Sequence, residues 1–216
     1  MSMKHASLAL SLLILAVAGM GNAHAQAANA KANVDCPVGL VSGMTLDDEF
    51  GPGTAALTEC NKFRSNVRLV VQINAFCAQP GVPNQNCARP YALGNLANMI
   101  DDYEVTHGMV AGRDYEMVAV IHSGAGFMAL KDTGLNGAGM TVQGRNQFEG
   151  TVRTLMSRGV DFKFCQNTTR AYVGNGILPS SGDGATGEVI EGIGYVTAGL
   201  TSIADYQRRG YLYIQP

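Results

Sequence analysis

Two side chains in this sequence, a thiol and an imidazole, stand where chemistry is commonly placed. Cys165 ends the run VDFKFC, and His122 ends the run YEMVAVIH. A thiolate is a nucleophile, but an ordinary cysteine, with a pKa of about 8.5, is mostly protonated at neutral pH. Asn167, Thr168 and Thr169 follow Cys165 and are residues that start helices. A helix beginning there would turn its free N–H groups and its dipole toward the sulfur and favour the anion. His122 would deprotonate that thiol, or hydrogen-bond its anion, if the two strand ends are neighbours. The run HSGAG (122–126) is short and Gly-rich, and its N–H groups could approach an oxyanion. The candidate catalytic residues are therefore Cys165 and His122. The candidate ligand-binding residues are Ser123, Gly124, Gly126, Asn167 and Thr168. The competing reading makes Cys165 a small buried hydrophobe and His122 a satisfied structural residue. His107 falls in an expected loop and reads as solvated.

Cysteine count supports the first reading. Residues 1–25 carry one Lys near the start, a short apolar core and the Ala23-His24-Ala25 cleavage pattern. They predict a signal peptide rather than a membrane span, so the expectation is a periplasmic protein with no membrane segment after leader cleavage. The chain has five cysteines, an odd number, and an exported chain should leave one thiol over. Cys36, Cys60, Cys77 and Cys87 cluster in the N-terminal part. Proximity and an oxidising compartment suggest the pairs Cys36–Cys60 and Cys77–Cys87, although spacing alone does not fix connectivity. Cys165 is left as the free thiol.

The elements that must position these residues begin at Val67. Residues 26–66 read as an N-terminal extension and 67–216 as one α/β domain. VRLVVQINA, YEMVAVIHS and VDFKFC read as buried strands, EVIEGIGYV (188–196) as a weaker one and YLYI as a short last strand. LGNLANMIDDYEV, NQFEGTVRTLMSRG and AGLTSIADYQRRG read as helices, the second with Asn146 as its cap and Gly159 at its stop. Alternating strands and helices imply right-handed crossovers and a largely parallel sheet covered on both faces. In such sheets functional groups gather beyond the carboxyl ends of the strands, which is where His122 and Cys165 fall.

Composition narrows the function. Net charge is −2, and −3 once a leader with one Lys and no acid is removed, which argues against nucleic acid as a partner. No P-loop or dinucleotide fingerprint occurs, so no cofactor is expected. Cys165 and His122 supply two metal ligands at best and no C-x-x-C is present, so no metal is expected.

The runs EMVAVIHSGAG, NQFEGTVRTLMSRGV, DFKFCQNT and the tail VTAGLTSIADYQRRGYLYIQP together resemble the DsrE/DsrF-like proteins, in particular their exported branch. The resemblance covers about residues 66–216. It implies a three-layer α/β/α fold with about five strands, assembly into a homotrimer or homohexamer, and a persulfide carried at the position of Cys165. The expected function is sulfur handling, with sulfane sulfur accepted or relayed on Cys165 between a donor and an acceptor protein. The alternative is a non-catalytic oligomeric protein of the same fold that binds a small ligand or partner. The two cysteine-bearing N-terminal segments and the Gly-rich loop 175–187 depart from the family pattern.

Overall fold

The computed structural model describes residues 40–58, 65–76 and 90–216. The leader and Cys36, Cys60, Cys77 and Cys87, with the two bridges expected among them, lie outside the described residues. Residues 40–58 contain two short helices, α1 (Leu46–Phe50), capped by the Thr45 side chain, and α2 (Thr54–Leu57).

The domain that follows is a three-layer α/β fold. Its elements run β1 (Val67–Ile73), α3 (Tyr91–Asp101, extended by a π turn at Asp102–Thr106), β2 (Tyr115–Ile121), a 3-10 helix (Ser123–Ala129), and a small hairpin of β3 (Gly134–Leu135) with β4 (Thr141–Val142). Then come α4 (Glu149–Ser157), β5 (Val160–Cys165), α5 (Gln166–Gly174), α6 (Gly184–Gly187), β6 (Gly194–Val196), α7 (Gly199–Arg208) and β7 (Leu212–Ile214). The main sheet has the order β6-β5-β2-β1-β7, and every pairing in it is parallel. β1 and β2 are apolar on both faces because both faces are covered. Leu69, Val71 and Ile73 share one buried cluster with Leu96 and Ile100 of α3, Val152 and Leu155 of α4 and Tyr172 of α5. Val70, Val118 and Val120, on the opposite face, pack against Ile203 of α7. The two clusters follow from topology. The chain steps from β1 to β2 to β5 to β6 in one direction and returns over the sheet to β7, which puts α7 on the other face.

Three expectations are corrected. The strand over 188–196 shrinks to Gly194–Val196. Glu188 turns inward to a buried ion pair with Arg145 at 2.6 Å, Val189 makes only an isolated bridge to Leu130, and Gly192 takes φ 93°. Asn146 is not the cap of α4, since Phe148 holds that place. Asn146 is buried instead; its Oδ1 accepts from Phe148 N–H, and its Nδ2 donates to the carbonyls of Met128 and Leu130 at 3.1 and 2.7 Å. His107 is not solvated, because its side chain is packed away and Nε2 lies 3.4 Å from the Asp102 carboxylate.

Candidate functional site

β5 ends on Cys165, which is also the residue that opens α5. Cys165 itself is still extended, at φ −73°, ψ 120°, and the strand stops because Gln166 begins the helix. The side chain thus sits under the first turn, where helix N–H groups have no partner within the helix. Thr168, through its N–H and hydroxyl, and Asn167, through its N–H, favour the anion of the sulfur from that turn. A further donor comes from the other side of the sheet, where the N–H of Gly199, first residue of α7, lies 3.2 Å from Sγ. Cys165 is free and buried. Burial pushes the thiol up, but the donors from Thr168, Gly199 and Asn167 together outweigh it, so the thiol lies below its ordinary value.

His122 directly follows Ile121, the register partner of Phe164, so His122 and Cys165 leave the sheet side by side on adjacent strands. The ring is buried, and that burial holds the imidazole below its ordinary value. Its Nε2 lies 2.7 Å from Gln72 Nε2, and its Nδ1 lies 2.8 Å from Ser123 Oγ. Both ring nitrogens are therefore engaged away from the sulfur. Ser123 itself takes φ +52°, a conformation that costs a non-glycine residue and is held here by structure around it. Its N–H donates to Thr168 Oγ1 at 2.9 Å.

These residues line one cleft of about 580 Å³, whose walls include His122, Ser123, Cys165, Asn167 and Thr168, with Tyr172 behind and Leu200 and Thr201 across from them. No acidic or cationic side chain is among the described residues that line it. The structure therefore brings together five of the seven candidates. Gly124 and Gly126 are not in the lining. Gly126 is buried; a Cβ on it would lie 2.6 Å from the Tyr172 hydroxyl and 2.8 Å from Thr168 Cγ2. Its smallness lets α5 approach. Asn167 contributes its backbone N–H, while its side chain accepts a hydrogen bond from Arg170 at 2.6 Å.

Sequence reasoning did not single out Gly199, Gln72 or Tyr172 as site residues. Gly199 opens a legible helix, and a Cβ there would lie 2.9 Å from His122 Cβ and Cγ, so only glycine brings its N–H this close. Gln72 is the polar residue inside an otherwise apolar run, and that was its signal. Tyr172 rests on Phe127 with ring centroids 4.9 Å apart, and burial pushes its phenol up to about 12.

Among the described residues there is no group of three or more His, Cys, Asp or Glu able to hold a metal, and no helix long and apolar enough to cross a membrane. No protein-family model and no curated protein matches the chain. One solved structure, a protein of unknown function, MTH1491 from Methanobacterium thermoautotrophicum, is similar over 70% of this chain and 100% of its own, at 22% identity and a TM-score of 0.46.

Proposed function

We propose that the chain is a sulfur-handling protein in which Cys165 accepts sulfane sulfur as a persulfide and passes it on. The observation that supports this is the sulfur's setting. Sγ accepts a hydrogen bond from the start of α7 and sits under the first turn of α5, where Thr168 and Asn167 favour its anion, at the wall of an open cleft. The Cys165 thiolate attacks the outer sulfur of a donor persulfide, R–S–SH. A new S–S bond forms at Cys165, the donor S–S bond breaks, and its electron pair leaves with the donor as RS⁻. The persulfide proton stays on the transferred sulfur or is lost to water. An acceptor thiolate then repeats the attack on that outer sulfur and releases Cys165 as the thiolate. No external oxidant or reductant enters either step. The N–H groups that hold the thiolate suit the persulfide anion equally, since each is a large, soft anion at a helix start.

The same reading takes in the resemblance to the DsrE/DsrF-like proteins, export to the periplasm through residues 1–25, and assembly as a homotrimer or homohexamer. Mass spectrometry after exposure to a low-molecular-weight persulfide tests the central claim. The expected result is a gain of one sulfur, about 32 Da, on Cys165 and none on Cys165→Ser. An alkylatable Cys165 that takes up no sulfur from any sulfane donor would return the chain to the non-catalytic binding reading.

A further inference from the structure

The tail motif Gly-Tyr-Leu-Tyr-Ile is not absorbed by the chemistry at Cys165, yet one of its residues reaches the site. Tyr213, on edge strand β7, donates its hydroxyl to Gln72 Oε1. Gln215 Oε1 lies 3.0 Å from the same hydroxyl. Gln72 is buried on β1, and its Nε2 faces His122 Nε2 at 2.7 Å. An amide nitrogen only donates, so the ring Nε2 accepts and the ring's proton resides on Nδ1. From there it donates to Ser123 Oγ, at 2.8 Å. The Ser123 N–H donates to Thr168 Oγ1 at 2.9 Å, which occupies a lone pair of that hydroxyl and leaves its proton for the Cys165 sulfur. Every donor in the series points from the tail toward the thiol, in two runs that share Ser123: its hydroxyl ends the first and its N–H starts the second.

We infer that Tyr213 and Gln72 are positioning residues that fix His122 as the Nδ1–H tautomer. In that form His122 braces the Ser123–Thr168 arm against the Cys165 sulfur and does not act as the base that deprotonates it. The groups facing His122 are Gln72 from β1, Ser123 from the 3-10 helix, and Gly199, which packs on its Cβ from α7; none of them is charged. The inference rests on Cys165 being the reactive thiol and not on what that thiol carries.

Long-range proton–nitrogen NMR on the histidine-labelled full chain tests it, with His122→Ala identifying the His122 signals. The expected wild-type pattern near neutral pH is a protonated Nδ1 and an unprotonated Nε2. Tyr213→Phe removes only the hydroxyl, frees the Gln72 amide to turn over, and mixes the two tautomers. In that variant the pH profile of Cys165 alkylation moves to higher pH. Alkylation at neutral pH slows about three- to tenfold, the scale of one lost hydrogen bond. A wild-type Nε2–H tautomer would overturn the inference, and so would a Tyr213→Phe protein with tautomer and alkylation profile both unchanged. Should Tyr213→Phe fail to fold, Gln72→Glu gives a second reading. A carboxylate only accepts, so His122 Nε2 must take up a proton, and an unaltered nitrogen pattern counts against the inference. Sulfur loading is scored separately. Loading with the wrong tautomer removes the inference alone, and the right tautomer without loading removes the sulfur reading alone.

Discussion

The Gly199 N–H points at Cys165 Sγ across 3.2 Å although the two residues are 34 positions apart. One ends β5 and caps the helix that follows it, the other opens the helix on the opposite face of the sheet. The sulfur is therefore held where two crossover connections begin. Two positive helix ends converge on one atom there, and each favours negative charge on it.

Gly199→Ala tests that convergence. The new Cβ would lie 2.9 Å from His122 Cβ and Cγ, so the start of α7 must move off the ring and take its N–H with it. The overlap should cost about 1–3 kcal/mol in denaturant unfolding. The alkylation profile of Cys165 should shift to higher pH. An unchanged profile would mean that α5 alone sets the thiol.

Stability should depend on pH through Cys165. Its folded pKa is lowered, with burial opposed and outweighed by the Thr168, Gly199 and Asn167 donors. The unfolded thiol titrates at about 8.5. A depressed group adds stability that is complete above the unfolded value and is lost as pH falls through the folded one. Wild type should gain stability relative to Cys165→Ser as pH rises toward about 8.5, then hold level. Urea midpoints of the two proteins across that range measure the difference, and parallel curves would contradict a lowered thiol.

Gly126→Ala separates packing from ligand binding. Its Cβ meets the Tyr172 hydroxyl and Thr168 Cγ2, so the expected outcome is a loss of about 1–3 kcal/mol accompanied by slower Cys165 alkylation as Thr168 is displaced. A stable protein with altered affinity for anions would restore the glycine to a binding role.

The Arg145–Glu188 pair should be the most costly ion pair to break. Its nitrogen and oxygen are 2.6 Å apart, with side chains only 5% and 10% exposed. Arg145 also donates to the carbonyls of Lys131 and Leu135, and Glu188 accepts from Leu135 N–H. Arg145→Ala strands a buried carboxylate, at about 3–5 kcal/mol. The double change Arg145→Leu with Glu188→Leu should cost less than the two single changes together, which a double-mutant cycle in denaturant reads directly.

Much of the fold was legible because its central strands are apolar on both faces. Runs such as RLVVQI and EMVAVI admit few other structures, and the helix over 199–208 announces itself by a small residue at its start and Gly210 after its end. β6 was overdrawn because Val189, Ile190 and Ile193 look like strand residues, yet they are buried as a loop around the Arg145–Glu188 pair. The 134–142 hairpin was missed because its strands are two residues each. At the site, Cys165, Asn167 and Thr168 were readable together because one helix start holds them. Gly199, Gln72 and Tyr213 arrive from other elements, and only the sheet order, with β7 beside β1, brings them in.

The return crossover from β6 to β7 also sets an order of events. Cys165 and α5 are complete well before residues 199–214 have been synthesised, and a chain still emerging lacks both the Gly199 N–H and the Tyr213 hydroxyl. β7 pairs with β1 over nearly the whole length of the domain, Val71 against Ile214, and such distant pairings form slowly. Until the tail docks, the thiol keeps only its local helix donors. Arrival of α7 and the C-terminal strand is thus the step that completes the surroundings of the thiol, so an incomplete chain carries the cysteine without its full set of donors.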